Sequence, residues 1–144
     1  MTGFTVSLVS WHDGEPLLRA IREAVFIREQ GISPELEWDG LDEGARHALA
    51  ISNNGDAIGS GRILKNGHIG RIAVLPQWRK RKVGTALMEA LLHDAKALRH
   101  KQVDVDAQVY ARPFYHNFGF AEEGEPFLDA GLPHIKMRLS LLSR

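Results

Sequence analysis

The sequence predicts a single-domain α/β protein, with a mixed central sheet of six or seven strands and flanking helices. Three observations carry this prediction. Asn54-Gly55 and Asn66-Gly67 separate short β-type segments and favour hairpin turns, which predicts an antiparallel meander in the N-terminal half. An amphipathic segment then leads into an alternating strand, which predicts one right-handed parallel crossover. Hydrophobic residues at 44% and charged residues at 25% are ordinary for one domain over residues 1–144.

The first third of the chain is predicted to contain one strand and one helix. Residues 4–9 alternate as a strand does. Asp13 is a candidate N-cap for a helix that begins near Pro16, since proline is tolerated in a first helical turn, and Gly31 is a candidate stop. Residues 32–44 hold turn formers and five acidic residues without a period. We expect an irregular, partly helical connection there.

The rest of the chain is predicted to alternate between strands and helices. The elements are strands at 46–52, 57–64 and 68–75, a helix at 79–100, a strand at 103–109, a short helix at 112–118, and strands at 120–124 and 134–142. In the strand at 103–109, Asp104, Asp106 and Gln108 share one polar face. We expect the two parallel strands to part near Val74 and Val109, which would leave a cleft.

Composition excludes several kinds of chemistry. The chain has no cysteine, which excludes disulfides, thiolate metal sites and a cysteine nucleophile. Eighteen basic and eighteen acidic residues cancel, so no overall field attracts nucleic acid. The seven histidines show no metal-ligand spacing, and we expect no metal. The N-terminus has no signal-peptide pattern and no apolar stretch approaches the roughly 20 residues that span a bilayer, so we expect a cytoplasmic protein.

The most informative motif is the segment at 71–86, RIAVLPQWRKRKVGTA. An apolar strand breaks at Pro76 and passes through four consecutive cations, Arg79 to Lys82, into a helix. The first N–H groups of a helix have no intrahelical partner and the helix dipole is positive there. This arrangement predicts a site for a phosphorylated ligand, although the cations alone would also fit a solvated turn or a nucleic-acid patch.

Two ordered signatures resemble the GNAT-type N-acetyltransferases. Residues 71–87 resemble that family's acetyl-coenzyme A motif, and residues 107–120, AQVYARPFYHNFGF, resemble its second signature, a strand followed by a helix with FYxxxGF. The segments VFIREQG (25–31) and GSGRIL (59–64), with the acidic loop between them, look like an uncharacterised bacterial branch of the family. The resemblance runs from about residue 17 to the end. It implies a GNAT-like fold and an enzyme that uses acetyl-CoA.

The resemblance also implies which residues contact acetyl-CoA. Ile72 and Val74 would offer main-chain hydrogen bonds to the pantetheine arm, and the thioester carbonyl would lie near the Val74 N–H. Gln108 stands where many relatives carry an asparagine that touches the cofactor. The implied binding residues are Ile72, Ala73, Val74, Arg79, Lys80, Arg81, Lys82, Val83, Gly84, Thr85, Gln108 and Tyr115.

The phosphate turn departs from the family pattern, Arg/Gln-x-x-Gly-x-Gly/Ala, at one position. Lys82 stands where the first glycine is expected, whereas Gly84 matches the second. We expect Lys82 to adopt helical φ and ψ angles, so that it keeps its N–H donor and adds a movable cation.

Tyr115 occupies, by the same resemblance, the position of a tyrosine that protonates the departing thiolate. A phenol has a reference pKa of about 10, so it can donate a proton at neutral pH. A core tyrosine with a structural hydroxyl partner is the alternative. The general base stays open, and Arg62 and Arg71 are predicted to be structural partners of the loop acids. The base candidates are Glu29, Glu37, Asp39, Asp42, His47, His68, His116 or a water relay, with Asp106 as a further residue beside the cleft.

The sequence therefore predicts transfer of an acetyl group from acetyl-CoA to a primary amine. Direct attack in a ternary complex is the simplest mechanism, because no cysteine can hold the acetyl group. The alternative is a non-catalytic module that binds acyl-CoA and reports it to a partner. A third possibility is a nucleotide or nucleic-acid site. The chain lacks the GxxxxGK[ST] signature, which counts against it. We expect a small-molecule or peptidyl amine as partner, no nucleic acid, no membrane, and a possible homodimer through the final strand. The acidic loop favours a cationic acceptor such as a polyamine, an aminoglycoside or a lysine side chain.

Overall fold

The computed structural model describes residues 3–142 and confirms an α/β chain with seven strands in that range. The strands are β1 (Phe4–Val9), β2 (Arg46–Ser52), β3 (Ala57–Ile63), β4 (Ile69–Val74), β5 (Gln102–Gln108), β6 (Ala121–Asp129) and β7 (Leu132–Ser140). The α-helices are α1 (Trp11–Arg22), α2 (Pro34–Glu37), α3 (Val83–Ala97) and α4 (Arg112–His116). The two Asn-Gly turns lie where the sequence predicts them, and both glycines, Gly55 and Gly67, have φ of +90°.

The strands form two antiparallel sheets, so the prediction of one mixed sheet is wrong. Their orders are β1-β2-β3-β4 and β5-β7-β6. The crossover through α3 sets β4 and β5 side by side, but within residues 3–142 the two sheets share only one parallel bridge, between His68 and Asp104. β4 and β5 then separate, as expected, and each is an edge strand of its own sheet. The gap between these two edges is where the site lies.

The first helix begins earlier than predicted. Ser10, rather than Asp13, is its N-cap: the Ser10 hydroxyl accepts a hydrogen bond from the Asp13 N–H at 3.1 Å. After α1 the chain continues as a π-helical segment over Glu23–Glu29. Gly31, with φ of +73°, follows this segment and is the stop that the sequence predicts.

Helices cover both faces of the first sheet. Ala48 and Ala50 of β2 belong to the core that α3 shares with both sheets, whereas Leu49 packs in a second cluster with α1. α3 approaches β3 closely because β3 has glycine at its contact points. A Cβ atom at Gly61 would lie 2.5 Å from the Ile72 side chain and 3.1 Å from that of Leu91. At the beginning of α3, a Cβ atom at Gly59 would lie 3.0 Å from the Val83 side chain, so the start of the helix also packs closely on β3.

The C-terminal hairpin is longer than predicted. β6 extends to Asp129, and its side chains are exposed throughout, so no alternation of polar and apolar residues marks it in the sequence. β7 lies between β5 and β6, which leaves β6 as the free edge of this sheet. The final strand therefore has no free edge for the expected pairing of two copies.

Candidate active site

A β-bulge in β4 shapes the edge that faces the gap. The register with β3 shifts by one residue, so that Arg71 and Ile72 together face Gly61. Arg71 has φ of +55°, a left-handed conformation that is uncommon for residues other than glycine. A bulge increases the local twist of a strand, which accounts for the separation of β4 from β5 beyond their bridge.

The main-chain groups of Val74 point into the gap. The Leu75 N–H donates to the Ile58 carbonyl at 2.9 Å, so these two residues form a hydrogen-bonded pair. Bonded and non-bonded pairs alternate in an antiparallel ladder, and the neighbouring pair of Val74 and Gly59 is of the non-bonded type. The Val74 N–H and carbonyl therefore face away from β3.

A cleft of about 210 Å³ opens between β4 and β5. The bulge, β5, α4, the π-helical segment and the hairpin between β6 and β7 form its walls. The predicted site residues that line this cleft are Ile72, Asp106, Gln108 and Tyr115, together with the base candidates Glu37 and His68. Ala73, Val74, Glu29 and residues 79–85 do not line it.

Tyr115 enters the cleft from α4 with its ring held by other aromatic rings. Its centroid lies 5.0 Å from that of Phe114 and 5.8 Å from that of Phe120, both edge-to-face. Burial, with a smaller contribution from Tyr110, raises the pKa of Tyr115 to about 12. The phenol therefore keeps its proton at neutral pH and is a proton donor in the cleft wall.

The turn between β4 and α3 uses left-handed residues. Lys80 has φ of +62° and Lys82 has φ of +70°, so the expected helical conformation of Lys82 is wrong. The chain is extended at Arg79 and has to reverse direction into α3, which requires a positive φ at this place. That requirement explains why the family pattern has glycine where this chain has Lys82.

The N-terminus of α3 is an uncapped helix end surrounded by cations. No side chain caps it, and its first helical hydrogen bond runs from the Ala86 N–H to the Lys82 carbonyl at 3.0 Å. The N–H groups of residues 83–85 thus have no helical acceptor. The Arg81 guanidinium stacks on Trp78 at 4.2 Å from the ring centroid. Free N–H groups, the helix dipole and exposed cations together form a site suited to an anion.

Arg79 points away from this helix end. Its guanidinium donates two hydrogen bonds to the Glu29 carboxylate, at 2.6 and 2.7 Å, and its Nε donates to the Val74 carbonyl at 2.9 Å. The hydrogen bond from Arg79 lowers the pKa of Glu29. Arg79 therefore joins the π-helical segment to the end of β4.

The acids of the loop after α1 belong to an ion network that reaches the cleft wall at Glu37 and Arg71. Arg22 donates to Glu37 at 2.7 Å and to Asp42 at 2.6 Å, and all three side chains are buried. Arg62 donates to Asp42 at 2.9 Å. The remaining contacts join Arg62 to Asp39, and Arg71 to Glu37 and Asp39. The prediction that Arg62 and Arg71 are structural partners of the loop acids is confirmed.

The network perturbs its acids in opposite directions. Burial raises the pKa of Glu37, in spite of the neighbouring Arg71 and Arg22. Burial would also raise the pKa of Asp39, but hydrogen bonds from Arg62 and from the Leu41 N–H outweigh it and lower that pKa to about 2. These acids are engaged by arginines and hold the loop in place.

A second polar cluster lies where the two sheets meet. The His68 Nδ1 forms a short hydrogen bond with the Asp104 carboxylate, and its Nε2 lies 3.7 Å from Asp106 Oδ2. Lys136 lies 3.3 Å from Asp106 Oδ1. Sequence reasoning left His68 among several base candidates and treated Asp104 as part of a polar patch. A parallel register that pairs His68, just before β4, with Asp104 of β5 would have brought these two side chains together.

Two further observations concern metal ions and membranes. Among residues 3–142, no group of three or more histidine, aspartate or glutamate side chains is arranged to hold a metal ion. In the same range, every helix is too short or too polar to cross a bilayer.

Residues 22–141 match the family model of the acetyltransferase (GNAT) domain, and the chain belongs to this family. It is 36% identical over 121 residues to the uncharacterized N-acetyltransferase YjcF of Bacillus subtilis. The aligned region covers 81% of this chain and 86% of that protein. The crystal structure of Escherichia coli ElaA matches with a TM-score of 0.84 at 30% identity, covering 93% and 98% of the two chains. An acyl-CoA N-acyltransferase from Pseudomonas aeruginosa matches with a TM-score of 0.83 at 29% identity, covering 94% and 98%.

These similarities confirm the family and the GNAT fold that the two sequence signatures imply. The chain is thus a member of the GNAT acetyltransferases by family.

Proposed function

We propose that this protein transfers an acetyl group from acetyl-CoA to a primary amine, by direct attack in a ternary complex. One observation carries the proposal: the open edge of β4 runs directly into the uncapped N-terminus of α3. The main-chain N–H of Val74 faces the gap, and Ile72 lies in the adjoining bulge. A few residues later, the free N–H groups of residues 83–85 face the turn.

The residues present fit acetyl-CoA as the acetyl donor. Its pantetheine arm contains amide groups, which can form strand-like hydrogen bonds with Ile72 and Val74 on the open edge. Its pyrophosphate would accept hydrogen bonds from the N–H groups at the start of α3, with Lys80, Arg81 and Lys82 supplying positive charge. On β5, Gln108 donates to the Gln30 side chain at 3.1 Å, which orients its amide beside the cleft.

The reaction needs a stabilised oxyanion and a proton for the leaving group. The Val74 N–H faces the gap and can donate to the thioester oxygen as negative charge develops there. The amine nitrogen bonds to the carbonyl carbon, the carbon–sulfur bond breaks, and the thiolate takes the proton of the Tyr115 hydroxyl. The raised pKa of Tyr115 keeps that proton in place until the thiolate forms.

Two further candidates receive different roles in this proposal. Glu29 is a weak base because Arg79 holds its carboxylate and lowers its pKa, so we assign it to fixing the end of β4. Asp106 lines the cleft and contacts no arginine within residues 3–142. We assign Asp106 to binding the acceptor.

The acceptor is proposed to be a cationic amine, either a small molecule or a lysine side chain of a peptide. The loop acids Glu37, Asp39 and Asp42 are paired with arginines, so they supply little charge for recognition. Glu37, Asp106 and Asp129 all line the cleft, and within residues 3–142 only Glu37 of these three pairs with arginines, so Asp106 and Asp129 carry this argument instead. Carboxylates at the mouth of a cleft attract cations.

Thiol release tests the function directly. The purified protein is incubated with acetyl-CoA and, in turn, spermidine, an aminoglycoside and a lysine peptide with a blocked N-terminus. Release above the rate without amine supports an acetyltransferase. Tight binding of acetyl-CoA with no release in any mixture would contradict it and would support a non-catalytic acyl-CoA sensor.

A further inference from the structure

We propose that His68 is the general base of this reaction, with Asp104 positioning its ring and Asp106 binding the acceptor ammonium. This inference rests on the proposed function and adds the group that takes the proton. It starts from the only bridge between the two sheets within residues 3–142, which joins His68 to Asp104.

The backbone fixes the position of the imidazole ring. His68 immediately precedes β4, and its N–H donates to the Asn66 side chain at 3.0 Å. As bridge partners on adjacent strands, His68 and Asp104 have neighbouring side chains, and Nδ1 of the ring meets the Asp104 carboxylate. A carboxylate accepts hydrogen bonds, so this contact places the proton on Nδ1 and leaves Nε2 with a lone pair.

The free nitrogen lies where an ammonium group fits. Nε2 is 3.7 Å from Asp106 Oδ2, too far for a hydrogen bond between them. An ammonium nitrogen placed to one side of the line that joins these two atoms, about 2.8 Å from each, can donate to both. His68 and Asp106 line the same cleft as Tyr115, so the base and the proposed acid face one space.

The charges around the ring favour a cation at this place. Lys136 lies 3.3 Å from Asp106 Oδ1 and 3.7 Å from Asp104 Oδ1. Arg138 comes within 3.9 Å of Asp104 but donates both of its short hydrogen bonds to Glu123. The carboxylates of Asp104 and Asp106 therefore lie beside the imidazole ring of His68 and share one lysine, Lys136. The other charged or titratable side chains that line the cleft are Glu37, Arg71, Asp129, His134 and Tyr110.

The remaining base candidates are engaged elsewhere. The Nε2 of His47 contacts the Asp42 carbonyl at 2.9 Å, and the ring is buried. His116 is exposed and contacts Glu122 at 2.8 Å. Glu29 and the loop acids are held by arginines. His68 is the one histidine candidate that both lines the cleft and has a carboxylate partner.

The protons balance across the reaction. The ammonium gives one proton to His68 Nε2, and the neutral amine then attacks the thioester carbon. The nitrogen loses a second proton as the amide forms, and this proton restores the Tyr115 phenol after the phenol has protonated the thiolate. His68 releases its proton to water, so one proton leaves per turnover.

The test compares His68→Gln with the wild type by thiol release from acetyl-CoA, using spermidine as the probe, across pH 6 to 9.5. General-base catalysis contributes about 10²–10⁴-fold, so kcat at pH 7 should fall by that factor. In the variant only free amine reacts, so kcat/KM should rise about tenfold per pH unit below the amine pKa. Asp106→Asn should mainly raise KM for spermidine.

His116→Gln is the matched control, because it removes an exposed histidine that also contacts a carboxylate. It should leave kcat and the pH profile unchanged. The inference is overturned if His68→Gln keeps kcat within about threefold of wild type, or if its deficit is the same at every pH. If the wild type and His68→Gln acetylate spermidine equally well, only this inference is overturned. A wild type that releases no thiol with any of the three amines overturns the proposed function as well.

Discussion

The molecule has two clusters of carboxylates close to one cleft, and they differ in how their charges are satisfied. In the network below α1, buried arginines bind each acid, and Arg22 and Arg62 both reach Asp42. At the junction of the sheets, Asp104 and Asp106 are partly exposed and share one lysine and one histidine. Similar residue types thus lie in two different electrostatic settings.

This difference separates a structural role from a chemical one. A buried carboxylate has to be paired, because an unpaired charge in the interior costs several kcal/mol. The loop acids meet that requirement and hold the loop against α1. At the sheet junction, Asp106 lines the cleft and its Oδ1 accepts no hydrogen bond within residues 3–142, so this carboxylate keeps acceptor capacity free. Substitutions should therefore affect folding in the first cluster and turnover in the second.

The largest effect on stability is expected from Arg22→Ala. It would leave Glu37 and Asp42 buried without their main partner. The free energy of unfolding should fall by about 3–5 kcal/mol in urea denaturation. Arg19→Ala is the matched control on the same helix, since Arg19 pairs with Glu15 in an exposed i,i+4 contact. That variant should lose less than about 1 kcal/mol. Equal losses in the two variants would refute the distinction.

On the cleft side, Tyr115→Phe removes the proposed acid but keeps the ring that packs on Phe114 and Phe120. We expect kcat to fall by about 10²–10⁴-fold, with the Kd for acetyl-CoA and the stability nearly unchanged. Thiol-release kinetics and calorimetric titration measure the two quantities. An unchanged kcat would show that Tyr115 is only a packing residue.

The arginine-paired cluster should also produce a pH dependence of stability at acidic pH. The pKa of Asp39 is lowered to about 2 from its ordinary 3.8, so its contribution is complete above about pH 4 and disappears as the pH falls toward 2. The lowered pKa of Asp39 corresponds to a contribution of about 2 kcal/mol to the free energy of unfolding. The stability difference between wild type and Asp39→Asn should close over that range in urea titrations. Asp56→Asn, in the exposed turn after β2, should leave the profile unchanged. A pH-independent difference for Asp39→Asn would contradict the ion-pair assignment.

The smallest effect concerns the left-handed turn. Lys82→Gly and Lys82→Ala both remove one cation, but only glycine adopts φ of +70° without a steric penalty. The glycine variant should be more stable than the alanine variant by about 1 kcal/mol, as measured by thermal unfolding. Both should bind acetyl-CoA with similar affinity. Equal stabilities would mean that Lys82 adopts another conformation in solution.

Local patterns in the sequence predicted most of the fold. The Asn-Gly turns, the apolar face of α3 and the alternation in β5 each depend on neighbouring residues, and each lies where expected. The split into two sheets was not predictable in this way. It follows from the bulge at Arg71 and Ile72, which contains no glycine or proline of its own, although Gly70 precedes it and Gly61 lies opposite. The conformation of Lys82 was missed for a related reason: the geometry of the turn overrides the preference of lysine.

The site was predictable to a similar degree. The cluster of cations at the start of a helix and the partners of Arg62 and Arg71 followed from charge and position along the chain. The contact of His68 with Asp104, which are 36 residues apart, depends on the register of two parallel strands. The ion pair of Arg79 with Glu29, 50 residues apart, depends on how the π-helical segment meets β4. Contacts of this kind require the tertiary structure.

The most direct test of the central claim is the thermal shift of the purified protein with acetyl-CoA, with ATP as the control. A ligand at about 100 times its Kd stabilises the folded state by roughly 2.7 kcal/mol, which should raise the Tm of a domain of this size by several degrees. We predict such a shift with acetyl-CoA and a much smaller one with ATP. No shift, or equal shifts with the two ligands, would contradict the assignment of the β4 edge and the α3 N-terminus to acetyl-CoA.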